Sequence, residues 1–580
     1  MVFAMKDFLK MTFATLLGLV LFGVVCTLLL FGAIGSLALL NNAPAIVEPH
    51  SVFELKLEGT LVERNEESGL DFLKSKYSRT QSIIGLDEVL TAIDRAKNDA
   101  NVEGIYLNIS GLSAAPASID EIRDALLDFK ESGKFVVAYA DTYSNGTYAL
   151  ATVADRVAMN PQGQLILTGL SMNTLFYKEA LDKLGIEMQV FKVGTFKSAV
   201  EPYVNRTMSD ANRLQLNQLS GSIWQSLCAD MASGRQLDRA IFDNFANQGL
   251  FFDEARIAYE QGLVDTLVYR TEMKQILEQL MHGDYATVDL KTLKNQPDNT
   301  AYSANKIAVV YATGEIDGNG ESSMDSEKIA ETLADLADDE SVKAVVLRVN
   351  SPGGSAFGSE QIWHATQLVK AQKPFIVSMG DYAASGGYYI SCAADTIVAQ
   401  PTTITGSIGI FGLLPNVEKL ADKIGVAVDG VKTHEYADFG NMSRPVTAGE
   451  RQLFQRYVER GYELFVQRCA DGRHRTPDAI KQVAEGRVWT GADAQKIGLV
   501  DLLGNLDDAI DIAVAKANIA EYNVKNYPPK RDWVAQLMDE LEMSVLQKRL
   551  GVGYDYLCAL QKAQARQGLQ AIMPFEIMFE

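Results

Sequence analysis

Pro374-Phe-Ile-Val-Ser-Met-Gly-Asp-Tyr-Ala-Ala-Ser385-Gly-Gly-Tyr-Tyr-Ile390 is the stretch from which the fold is read. The apolar run that opens it reads as a short buried strand, and Tyr388 onward reads as a helix. Between them Ser385 has only Ala383, Ala384, Gly386 and Gly387 close by. A strand, a crowded glycine turn and a helix start place a hydroxyl beside backbone N–H groups that have no helical partner. That geometry suits a serine nucleophile. It also suits an N-cap serine, the commoner use of such a position.

Outward from this stretch the chain repeats itself, and a repeat changes the reading of the whole fold. Phe53-Glu-Leu-Lys-Leu-Glu-Gly59 matches Ile307-Ala-Val-Val-Tyr-Ala-Thr-Gly314, and Val102 to Asn108 matches Val342 to Asn350. Lys134-Phe-Val-Val-Ala-Tyr-Ala matches Lys373-Pro-Phe-Ile-Val-Ser-Met, Thr168-Gly169 matches Thr405-Gly406, and both units close on Gly-Leu-Val-Asp, at Asp265 and Asp501. Strands alternating with helical stretches predict α/β units with largely parallel sheets. The expected organisation is an N-terminal repeat over 46–290, a polar linker over 291–305, a C-terminal repeat over 306–515 and a helical tail over 516–580.

The two units differ where chemistry is expected. Aligning Pro161 with Pro401 sets Asn145 opposite Ser385, and aligning Gly185 with Gly425 sets Lys197 opposite Ala437. One unit has kept a lysine and the other a serine, as a single site shared by two duplicated units would leave them; loss of function in both would look similar. The five histidines offer little as a base: His364 falls within an amphipathic helix, His434 in a loop and His474 between Arg473 and Arg475. No Gly-x-Ser-x-Gly elbow surrounds Ser385. Lys197 is flanked by Val193, Phe196, Ala199 and Val200, and burial there disfavours the ammonium. Bringing a lysine from about 10.4 to roughly 7–8 takes roughly 3–5 kcal/mol, an amount that partial burial against an apolar wall can supply. The alternative is a solvated lysine in a lysine-rich loop. Asn350-Ser-Pro-Gly353-Gly354, at the end of an apolar strand, offers backbone N–H groups for an oxyanion or forms a plain turn. Ser407, in the loop Gly406-Ser-Ile-Gly409, is placed to hold the lysine amine or to serve a turn.

The chain is 580 residues long with a net charge of −21, which argues against nucleic acid as a partner. Its five cysteines, Cys26, Cys228, Cys392, Cys469 and Cys558, show neither metal-ligand spacing nor a disulfide framework. No charged residue occurs between Lys10 and Glu48, and residues 11–40 are almost wholly apolar. That exceeds the roughly 20 residues needed to cross a bilayer and the apolar core of about 7–15 residues of a cleaved signal peptide. An uncleaved anchor is expected, with residues 1–10 in the cytoplasm and the bulk of the chain on the far side.

Met379 to Ile390, Arg348-Val-Asn-Ser-Pro-Gly-Gly354, Thr405-Gly-Ser-Ile-Gly-Ile-Phe-Gly412 and Lys192-Val-Gly-Thr-Phe-Lys197-Ser-Ala-Val-Glu-Pro202 together resemble the signal peptide peptidase A (protease IV) family in its long, duplicated, membrane-anchored form. The resemblance covers about residues 10 to 515. It implies two tandem crotonase-like (ClpP-like) α/β repeats after an N-terminal transmembrane helix. It also implies Ser385 as nucleophile, Lys197 as general base and Ser407 as the residue that orients the lysine. The oxyanion segment would be Gly353 and Gly354, joined by Gly386. A homotetramer on the periplasmic side of the inner membrane, degrading remnant signal peptides and other apolar peptides, is expected from it, with no metal or nucleotide. Two other readings stay open from the sequence: a crotonase-like acyl-CoA enzyme, which would keep activity without Ser385, and a scaffold that binds apolar peptides without cutting them.

Overall fold

The computed structural model describes residues 2–41, 46–65, 82–297, 303–318, 323–530 and 569–573. Its first element is the helix Val2–Asn41, within which Lys10–Leu29 has a mean hydropathy of 2.4 and no buried share. A span of that length and composition, with its apolar side chains outward, is suited to lipid rather than to a protein core.

The repeat is visible as two sheets of the same plan. In the first, Ser51–Val62, Val102–Ser113, Phe135–Tyr143, Arg156–Leu165 and Thr266–Leu267 lie side by side in parallel. In the second, Lys306–Thr313, Val342–Ser351, Phe375–Ala384, Thr396–Ala399 and Leu502–Leu503 do the same. Val102–Ser113 and Phe135–Tyr143 in the first sheet, and Lys306–Thr313, Val342–Ser351 and Phe375–Ala384 in the second, are buried over most of their length on both faces, as parallel sheets covered by helices require, whereas Ser51–Val62 exposes Lys56 and Glu58. Buried polar contacts repeat as well. Tyr148 Oη donates to the Leu263 carbonyl at 2.6 Å and Tyr388 Oη to the Leu499 carbonyl at 2.9 Å. Asp155 accepts from the Val136 N–H at 2.8 Å and Asp395 from the Phe375 N–H at 3.0 Å. Arg235 pairs with Asp265, and Arg473 with Asp501.

The strand leading to Ser385 runs over Phe375–Ala384 and thus reaches the serine itself, well past the apolar run visible in the sequence. Parallel pairing with Ile404–Gly406 holds its last three residues, Tyr382 to Ala384. The stretch expected to be a linker begins with a packed helix, Leu290–Lys294, whose Leu293 is buried and whose Lys294 pairs with Glu88 at 2.9 Å. The expected helical tail contains two strands among its described residues, Asn523–Tyr527 on the edge of the second sheet and Gln570–Ile572 elsewhere, while residues 531–568 and 574–580 lie outside those described.

A third, six-stranded sheet joins the repeats. Its order is Ser323–Met324, Glu315–Ile316, Gly353–Ser355, Gln570–Ile572, Phe411–Asn416 and Glu187–Lys192. The last pair is antiparallel and connects the first repeat's strand to the second repeat's, from Phe411 opposite Lys192 to Asn416 opposite Glu187. Lys197 follows five residues after that strand, so this pairing delivers a first-repeat side chain to the second repeat's strand ends.

Candidate active site

Ser385, the 353–354 glycines and Ser407 all stand just past the carboxyl ends of strands in the second repeat, where open α/β sheets place their ligands. Ser385 is buried and precedes the helix Gly386–Ser391, with φ 55° and ψ −110°. A non-glycine residue at positive φ costs of order 1–3 kcal/mol and persists only where its surroundings impose it. Here the Ser385 N–H donates to the Gly406 carbonyl at 2.8 Å, and its own carbonyl accepts from the Tyr389 N–H at 2.8 Å. Its hydroxyl makes no N-cap bond. A capping serine would spend its oxygen on the helix; this one is turned elsewhere.

It is turned toward Lys197. The Lys197 Nζ lies 2.8 Å from Ser385 Oγ, 3.1 Å from Ser407 Oγ and 3.2 Å from the Ser407 carbonyl. The lysine is fully buried, and burial holds its pKa well below the ordinary lysine value. Burial is the cause, and no carboxylate is there to offset it with an opposite charge. The backbone is clamped too. The Phe196 N–H donates to the Glu485 carbonyl at 2.9 Å, and a Cβ on Gly486 would stand 2.7 Å from the Lys197 Cα. Below it, Ser198, Asn212, Gln215 and Glu201 form a buried hydrogen-bonded group. Both partners belong to one chain, one from each repeat.

The glycines converge on the same place. Gly353 has φ 99°, and a Cβ there would stand 2.7 Å from the Gly386 nitrogen. Gly354 has φ 156°, and its Cβ would meet the Ile316 carbonyl at 2.2 Å. The Gly353 N–H donates to Ser351 Oγ at 3.1 Å. The site opposite, in the first repeat, is closed by Asn145: its Nδ2 donates to the Gly169 carbonyl at 3.1 Å and its Oδ1 accepts from the Thr168 N–H at 3.1 Å. The histidines weighed as a base lie elsewhere: His364, His434 and His474 are all exposed.

A buried charge cluster, not anticipated from the sequence, fixes the strand ends that carry this site. Arg348 is 1% exposed and lies 2.7 Å from Glu63 and 2.6 Å from Glu121, both from the first repeat. Asn350 Nδ2 donates to Glu63 at 2.9 Å and to Asp381 at 3.1 Å, while Asp381 accepts from Ser118 N and Oγ at 2.9 Å. Asn350 stands three residues before Gly353 and Asp381 four before Ser385. Burial raises the Glu121 carboxyl against the pull of Arg348, and raises that of Asp381; burial also works against the Arg348 guanidinium, but Glu121 and Glu63 together outweigh it and hold it charged. Removing one member of a buried cluster leaves uncompensated charge. Arg348→Leu is therefore expected to lower the unfolding free energy by about 3–5 kcal/mol, read from the urea midpoint of the detergent-solubilised chain.

Stretches of the chain match known protein families. A profile of peptidase family S49 matches residues 128–283 and again 367–520, corresponding stretches of the two repeats, and a profile of Clp protease matches residues 301–404. The chain is 38% identical over 479 residues to Protease 4 of Salmonella typhi, covering 79% of this chain and 76% of that one. It is 37% identical over 489 residues to Protease 4 of Haemophilus influenzae, with 80% and 78% covered. The chloroplastic serine protease SPPA of Arabidopsis thaliana is 33% identical over 463 residues, with 77% and 68% covered. The expected duplicated, ClpP-like α/β architecture agrees with both profiles.

Proposed function

The chain belongs to peptidase family S49 and is a serine peptidase, and from that premise we propose that Ser385 is its nucleophile and Lys197 its general base. The observation that carries this reading is the 2.8 Å approach of Lys197 Nζ to Ser385 Oγ in a site where burial favours the neutral amine. The amine takes the hydroxyl proton as Ser385 Oγ attacks the peptide carbonyl carbon. Ser407, 3.1 Å from the same nitrogen, keeps the amine lone pair aimed at Ser385. The developing oxyanion is met by backbone N–H groups of Gly354 and Gly386; Gly353, expected as a donor too, has its N–H turned to Ser351 Oγ and leaves instead the space that a side chain would fill. Lys197 then gives its proton to the leaving amine, and water releases the acyl group by the same steps in reverse order of partners.

The substrates we propose are remnant signal peptides and other apolar peptides, cut at the periplasmic face of the inner membrane. The helix Val2–Asn41 supports this, since an apolar helix of that length inserted in a bilayer would hold the site close to it. A homotetramer is proposed on the family resemblance. The test is cleavage of a fluorogenic apolar peptide by the full-length chain in detergent micelles, with an acyl-CoA thioester offered in parallel. Peptide turnover with the thioester untouched is expected. Thioester hydrolysis that persists in Ser385→Ala would favour the crotonase-type enzyme, and saturable peptide binding without any cleavage would favour the scaffold.

A further inference from the structure

The central strand of the six-stranded sheet, Gln570–Ile572, comes from the far C-terminal part of the chain. On one side it pairs antiparallel with the glycine segment: Gly353 faces Ile572, Gly354 faces Ala571 and Ser355 faces Gln570. On the other, Gln570 faces Phe411. Without it the sheet falls into two pieces, and the gap between them is one strand wide. One edge of that gap carries Gly353 and Gly354, and the other leads through Phe411–Asn416 to the strand that positions Lys197. A gap of this form takes an extended peptide, by main-chain pairing on both edges.

The register says which peptide bond faces the nucleophile. The Met573 N–H donates to the Pro352 carbonyl at 2.7 Å, and the Ala356 N–H donates to the Leu569 carbonyl at 3.2 Å. Hydrogen-bonded pairs recur at every second residue of an antiparallel ladder. Gly354 and Ala571, midway between those two pairs, are thus a bonded pair, and the Gly354 N–H donates to the Ala571 carbonyl. The same oxygen stands 2.0 Å from where a Cβ on Gly353 would be and 3.0 Å from where one on Gly386 would be. The Ala571 carbonyl therefore occupies the place the three glycines leave, beside Ser385.

The side chains fit as well. Leu569, Ala571 and Met573 point to one face, as alternate residues of a strand do. Ala571 is fully buried, Met573 is 6% exposed within the first repeat's core, and Leu569 packs on the second repeat's core, where a Cβ on Gly461 would stand 2.9 Å from its Cδ1. A small residue at the reacting carbonyl, between apolar neighbours, is the pattern held.

We propose that the C-terminal strand is a substrate of the chain's own site, cut between Ala571 and Ile572. This rests on the proposed roles of Ser385 and Lys197. Ser385 Oγ bonds to the Ala571 carbonyl carbon, and the bond to the Ile572 nitrogen breaks. That nitrogen leaves as an amine with the proton Lys197 took from Ser385. Water then splits the Ala571 ester, restoring the serine hydroxyl and leaving a carboxylate at Ala571. Until cut, the tethered strand competes with added peptides at the effective concentration of an intramolecular ligand.

Intact-mass measurement of the purified full-length chain tests this, alongside cleavage of an added apolar peptide by the same sample. The parent is expected to end at Ala571, with Ile-Met-Pro-Phe-Glu-Ile-Met-Phe-Glu released, and Ser385→Ala to keep residues 572–580. Ile572→Pro, which makes the leaving nitrogen a proline imide and favours the extended backbone Ala571 already has, is expected to slow tail loss at least tenfold while the added peptide is still cleaved, more slowly than by the parent because the retained tail competes for the site. A parent that cleaves the added peptide yet keeps its own residues 572–580, or loses them equally in Ser385→Ala, overturns the proposal and leaves the dyad reading standing. A folded parent that cuts neither overturns both.

Discussion

Ser385→Ala is expected to lower kcat/KM for an apolar peptide by about 10⁴ or more, with the protein still folded. The magnitude follows from what is removed: without the hydroxyl no acyl-enzyme forms, and the glycine N–H groups and peptide binding alone retain only a residual rate. Little stability should go with it. The side chain is small, and its hydroxyl makes no cap. The strained backbone at φ 55° stays strained with alanine but is relieved with glycine. Ser385→Gly should therefore be as inactive as Ser385→Ala and melt a few degrees higher. An enzyme of crotonase type would keep its rate in both variants. A purely structural Ser385 would leave peptide turnover unchanged.

Lys197→Met has the second largest expected effect, a fall of about 10³–10⁴ in kcat/KM, at the upper end of what a positioned general base contributes. Methionine fills nearly the same volume without a nitrogen to bury. In the parent, the native lysine resists protonation while the unfolded chain takes up its proton at the ordinary lysine pKa. Between the depressed native pKa and about 10.4 the unfolded state binds more protons, so stability rises with pH across that window and is reduced below it. The substitution removes this cost, so Lys197→Met should raise Tm at neutral pH by about 2–4 °C while turnover is lost. The same depressed pKa fixes the sign of the rate profile. The active form carries the neutral amine, so kcat/KM should rise with pH along a limb well below the ordinary lysine range. A surface lysine would produce neither the gain in stability nor the displaced limb.

Much of this site was legible in the sequence because its residues are local to strongly patterned elements. The duplication showed in ordered matches that the structure repeats down to Tyr148 and Tyr388 and their carbonyl partners. Ser385 stood out among small residues, and Lys197 among apolar ones. What brings them together was hidden. The antiparallel pairing of Glu187–Lys192 with Phe411–Asn416 links strands more than 200 positions apart, and no local pattern announces it. Arg348 enters the sequence reading only as the first residue of the Arg348–Gly354 motif, at the end of an apolar strand. Its partners Glu63 and Glu121 lie in the other repeat, so the signal was an arginine where an apolar residue was due. The tail escaped for a related reason: three residues pairing with two separate strands carry no periodicity of their own, and their β form is imposed by the edges they meet.

The central claim is that a first-repeat lysine activates a second-repeat serine. It is tested most directly by a serine-acylating probe applied to the full-length chain at a series of pH values, with the labelled peptide identified by mass spectrometry. The account predicts one modified residue, Ser385, acylated at a rate that rises with pH along a limb well below the lysine range and falls at least a hundredfold in Lys197→Met. Labelling of a different serine, or of Ser385 at the parental rate in Lys197→Met, would contradict it.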